Sequence, residues 1–145
     1  MFDTYDADLV AKLKSIRFEI NLNNKDLIFF LSELEFYYET ENILFTHAGY
    51  NTTLSHWTET TEQQFIWIRK HYKSRPKTHH VNVFGHTPAF SIREEIGEGY
   101  SYSPLFIEHV KGAYLAIDGA VAYGGQLNAV VLDDKGKLLN TYIAK

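Results

Sequence analysis

Val81-Asn82-Val83-Phe84-Gly85-His86-Thr87-Pro88 sets a short apolar strand directly before a sharp turn. Gly85 frees the backbone, while Pro88 lacks a ladder N–H and restricts Thr87. The strand must therefore stop, and His86 is left at its carboxyl end. The same grammar occurs earlier, where Asn42-Ile43-Leu44-Phe45-Thr46 runs into His47-Ala48-Gly49. The earlier run reads as a short buried strand and the later as a second short strand. Strand ends of α/β sheets are where sites are built, because the sheet holds a side chain rigidly while the loop leaves it reachable.

Working outward, Leu9, Leu13, Ile16 and Ile20, widened by Val10, recur at helical spacing, with Asp6 as an N-cap. The spacing predicts an amphipathic helix over about Asp6 to Phe18. Leu27, Phe30, Leu31 and Leu34 after Asn24 predict a second helix, which gives way to the β-favouring Phe36-Tyr37-Tyr38. Thr60-x-x-Gln63 resembles a capping box and predicts a third helix carrying Phe65, Trp67, Ile68 and Arg69. Lys70 to His80 reads as a basic loop, and the pattern from Ala89 to His109 is irregular. Strands are expected at Ala113 to Ile117, Leu127 to Leu132 and Leu138 to Ile143, the last two joined as a hairpin by Asp133-Asp134-Lys135-Gly136. The expected class is α/β, a mixed or antiparallel sheet with flanking helices. Residues 1–145 read as a single unit, without repeat or linker.

Composition narrows the functional classes. With 14 Lys+Arg against 18 Asp+Glu in 145 residues, there is no cationic excess for a broad nucleic-acid or anionic-lipid surface. No cysteine is present, so disulfides, thiolate metal sites and cysteine nucleophiles are excluded. The chain lacks a membrane-length apolar run, and its start lacks the order of a signal peptide. A soluble, cytoplasmic protein is the expectation. Asn51-Thr52-Thr53 matches a glycosylation sequon and is discounted on that ground.

Of the seven histidines, His56, His71, His79, His80 and His109 have polar neighbours and are expected at the surface. His47 and His86 stand apart through their matching strand-end contexts. A lone strand-end histidine is ordinarily a satisfied core-edge residue; two in the same context weaken that view. Imidazoles suit Zn, Mn, Fe or Ni, yet two alone do not complete a catalytic metal site. Asp118, after Tyr114-Leu115-Ala116-Ile117, is the third candidate, as a ligand, as a carboxylate orienting a histidine N–H, or simply as the cap of a turn before Gly119. Glu95 is a further carboxylate to weigh. Gly124-Gly125 reads as a turn rather than a ligand cradle.

Phe45-Thr46-His47-Ala48-Gly49, Trp67-x-Arg69, Val83-Phe84-Gly85-His86-Thr87-Pro88 and Ile117-Asp118-Gly119-Ala120-Val121-Ala122-Tyr123-Gly124-Gly125-Gln126-Leu127 follow one another in a familiar order. That order resembles the C-terminal half of bacterial phosphoprotein phosphatases, within the calcineurin-like metallophosphoesterases. Ala120 stands where a glycine is expected. The family's Gly-Asp-x-His, Gly-Asp-x-x-Asp-Arg-Gly and Gly-Asn-His-Glu motifs, which supply most of its metal ligands, do not occur in this sequence. The resemblance implies part of a double-sheet α/β sandwich and metal-dependent phosphoester hydrolysis of the serine/threonine phosphatase kind. It implies His47 and His86 as ligands of one metal, Arg69 as a phosphate contact and Asp118 as a supporting carboxylate. The complete family site holds a divalent metal pair such as Mn²⁺ and takes a phosphorylated protein or small phosphoester. Lacking the other ligands, this chain alone is expected to be a poor enzyme or none, and to self-associate or pair with the missing half. The alternatives are a non-catalytic metal- or phosphate-binding remnant and a dinucleoside polyphosphate hydrolase.

Overall fold

The computed structural model describes residues 7–98, 107–110 and 112–145. Among these, the residues up to Glu35 form one compact unit and those from Phe36 onward another. The first consists of α1, Ala7–Asn23, and α2, Lys25–Ser32. The Asp6 cap expected for α1 lies outside the described residues. Both helices arise where apolar spacing predicts them, although α1 runs several residues beyond Phe18. No helix among the described residues is long and apolar enough to cross a membrane.

The second unit is a mixed α/β arrangement, as the strand and helix patterns require. β1 (Tyr37–Glu39), β2 (Ile43–Thr46), β3 (Val81–Phe84), β4 (Ile107–His109) and β5 (Tyr114–Ala116) form one sheet in the order β1-β2-β3-β5-β4. β2, β3 and β5 run parallel at its centre, and β1 and β4 close the edges antiparallel. β6 (Leu127–Leu132) and β7 (Leu138–Ala144) form a separate antiparallel ladder. Their turn is closed by Gly136 N–H to Asp133 O at 3.0 Å.

Alternation along the central strands divides the core in two. Ile43, Val83 and Leu115 point to one face, where Val130 and Leu132 of β6 pack against them. Leu44, Phe84, Tyr114 and Ala116 point to the other, toward Tyr50, Trp57, Phe65, Tyr72, Ala89 and Ile92. Both faces of the sheet are covered, which is why β2 and β3 are largely apolar, with Asn82 of β3 the buried polar exception.

Four expectations are corrected. The capping box of α3 (Glu62–Trp67) is formed by Thr61 and Gln64, one residue later than expected. Thr60 is instead buried, its hydroxyl accepting the Asn51 N–H at 3.0 Å. Arg69 lies beyond the helix end, not within it, because Ile68 turns extended at ψ 142°. Residues after Pro88 form α4, Ala89–Ile96, ended by Gly97 at φ 82°, where no regular element was foreseen. His71 and His80 are buried rather than exposed. His80 is held by Glu39 at 3.1 Å and by Thr78.

Candidate functional site

Because β2, β3 and β5 are parallel neighbours, the residues that follow them emerge along one edge of the sheet. His47 follows β2, His86 follows β3 by two residues and Asp118 follows β5 by two. The rings of His47 and His86 lie 5.1 Å apart between centroids, tilted by 56°. Gly85 N–H donates to His47 O at 2.9 Å, stitching the two turns together. A Cβ on Gly85 would meet that carbonyl at 3.7 Å and Asp118 Cβ at 3.9 Å. The two histidines and Asp118 are therefore brought to one place by topology alone.

His86 sits at φ 63°, with Thr87 N–H donating to Gly85 O at 2.6 Å across it. A non-glycine residue held there stores about 1–3 kcal/mol and persists only where its surroundings enforce it. Trp67 stands perpendicular to the His86 ring at 5.3 Å. His86 Nε2 is buried without a hydrogen-bond partner. Burial, then the Arg69 cation and the neighbouring His47, lower the His86 pKa, with the Asp118 carboxylate opposing. The imidazole is thus biased toward the neutral form, which is the form that ligates metal.

Arg69 is exposed, and its Nη1 reaches Thr87 Oγ1 at 3.5 Å. Its guanidinium, His86, Ser91, Asp118 and Tyr123 line a cavity of about 360 Å³. One oxygen of Asp118 accepts the Ala120 N–H at 2.8 Å, so the carboxylate also caps its own turn. Ala120 adopts φ 61°, the left-handed conformation that explains why a glycine is expected there. Gly119 and Gly125 close this loop: a Cβ on Gly125 would fall 2.0 Å from Gly119 O, so the backbones cross where side chains cannot fit. Glu95 is engaged elsewhere, with Lys73 at 2.8 Å and Tyr72 at 3.2 Å.

The orphaned Nε2 of His86 and the adjacent His47 ring fit part of the shell of one divalent ion. They do not fit a two-metal centre, which needs anionic bridging oxygen to hold two dications together. Among the described residues no group of three His, Asp or Glu is arranged to hold an ion. Trp67, Thr87, Ser91 and Tyr123 line the site without having been named for it, although Trp67, Thr87 and Tyr123 stand inside the motif strings of the sequence; Ser91 alone carried no signal.

No protein-family model, curated protein or solved structure matches this chain.

Proposed function

We propose that the chain carries part of a metal-dependent phosphoester hydrolase of the serine/threonine phosphatase kind, contributing two imidazole ligands and an arginine contact for phosphate. Under this reading the central sheet and the β6–β7 ladder are a share of that family's α/β sandwich. The single observation that supports it most is the 5.1 Å approach of His47 and His86 at the carboxyl ends of adjacent parallel strands. Arg69 beside His86 adds a planar donor fork suited to phosphoryl oxygens. A bound metal would polarise a phosphoryl oxygen; the remaining ligands would come from a segment bearing the absent motifs.

A second reading, a metal- or phosphate-binding module without turnover, is favoured by the incomplete donor set. Calorimetric titration with inorganic phosphate, with and without Mn²⁺, tests the shared premise. The expected result is phosphate binding that requires Mn²⁺ and is lost in Arg69→Ala and in His86→Ala. Absence of phosphate binding under both conditions contradicts the proposal.

A further inference from the structure

His71, twenty-four positions after His47 in sequence, is a buried imidazole. Lys70 takes φ 67°, and this left-handed step turns His71 and Tyr72 inward as a short 3-10 turn. His71 then lies among the rings of Tyr50, Tyr72, Phe84 and Tyr114. Its tautomer follows from Asn82, which is fully buried on β3. Asn82 Nδ2 donates to Leu44 O at 3.0 Å and Thr46 Oγ1 at 3.1 Å, so its Oδ1 faces His71 Nε2 at 3.1 Å. His71 Nε2 must therefore be the donor, leaving Nδ1 unprotonated and without a partner.

Two contacts run from this ring to the two flanks of His47. Through Asn82 it reaches Thr46, the residue before His47. Directly, the ring occupies the space beside Gly49, two residues after: a Cβ there would lie 2.2 Å from His71 Cε1. Gly49 at φ 128° thus lies against the imidazole, and Ala48 N–H donates to Phe65 O at 2.8 Å between the two anchors.

We propose that His71 is a positioning residue, which clamps the Thr46–Gly49 turn from both sides and so presents the His47 imidazole to His86. Its functional meaning rests on the hydrolase reading above; its structural content does not. The test compares the intact chain with His71→Phe, which keeps a ring but removes the donor, and Thr46→Val, which cuts the Asn82 link at nearly constant volume. The readout is the nuclear Overhauser cross-peak between His47 and His86 ring protons, a spectroscopic contact that a general loss of stability in a still-folded chain does not erase. Loss or marked weakening of the cross-peak in both folded variants supports the proposal. Retention at full intensity overturns it. Should His71→Phe fail to fold, Thr46→Val decides alone by the same criterion. Mn²⁺ added to the intact chain separates the two ideas. If Mn²⁺ broadens neither ring while the variants lose the cross-peak, the hydrolase reading fails and the clamp stands. If Mn²⁺ broadens both rings equally in all three proteins and the cross-peak persists, the clamp is overturned.

Discussion

Gly49 and His71 occupy one space: a methyl group on Gly49 would fall 2.2 Å from the imidazole Cε1 and 2.4 Å from Nδ1. Gly49→Ala must therefore displace a ring packed inside the aromatic core, and does so at φ 128°, which an alanine resists. The expected loss is on the order of 3 kcal/mol, from overpacking and backbone strain together. Chemical denaturation of the variant against the parent chain measures it. A change within 0.5 kcal/mol of zero, the range of about 0.5 kcal/mol usual for surface substitutions, would show that the ring moves freely.

His71 also sets a pH dependence. Burial pushes its pKa down to about 4, with the Asn82 hydrogen bond opposing. Between the unfolded value of 6.5 and the folded value of about 4, the unfolded chain binds a proton that the folded chain does not. Stability therefore falls as pH drops through this window, by on the order of 3 kcal/mol at its lower end. Urea midpoints between pH 7 and pH 4 should decline less steeply in His71→Phe than in the parent. Equal slopes would remove His71 as the titrating group.

Lys70 is exposed and holds φ 67°, a conformation that costs a residue with a Cβ about 1–2 kcal/mol. Lys70→Gly relieves that strain while adding freedom to the unfolded chain. A net gain of roughly 0.5–1 kcal/mol is expected. Thermal unfolding should show a higher midpoint; a lower one would mean that the lysine makes a contact of greater value than the strain.

Self-association should be measurable. Leu13, Ile16, Phe18 and Ile20 of α1 and Phe29, Phe30 and Leu31 of α2 are exposed, as are Leu127, Leu139 and Tyr142 of the β6–β7 ladder. Apolar side chains in such number seek cover. Light scattering is expected to give a mass above the 16.8 kDa of one chain. A monodisperse monomer would contradict the expectation that these side chains are covered by another chain.

Much of the fold was legible because β2, β3 and β6 are largely apolar runs bounded by clear stops; the parallel pairing that brings His47, His86 and Asp118 to one edge was not, since the same runs suit a mixed or an antiparallel sheet. The failures have local causes. Thr60-Thr61 and Gln63-Gln64 offer two capping boxes of equal composition, and burial of the Thr60 hydroxyl against Asn51 selects the second. α4 was hidden because Ser91, Arg93, Glu94 and Glu95 break the run and leave four apolar residues, of which Ala89, Ile92 and Ile96 pack into the core while Phe90 lines the cavity. His71 was misplaced because its neighbours Lys70 and Lys73 are polar, whereas its burial depends on one left-handed residue that composition does not reveal. The role of Asn82 was invisible for a related reason: its amide is satisfied by β2 and by His71, partners distant in sequence.

Under the hydrolase reading, His47 and His86 face one metal ion as a pair. Titrating the ¹⁵N-labelled chain with substoichiometric Mn²⁺, and following the histidine ring resonances, tests it most directly. Early, parallel broadening of His47 and His86 is expected, lost at the remaining ring when the other is replaced by alanine, while His71, buried and already bonded to Asn82, broadens later. Broadening that begins at His56 or His79, or that strikes His47 and His86 independently of one another, would contradict it.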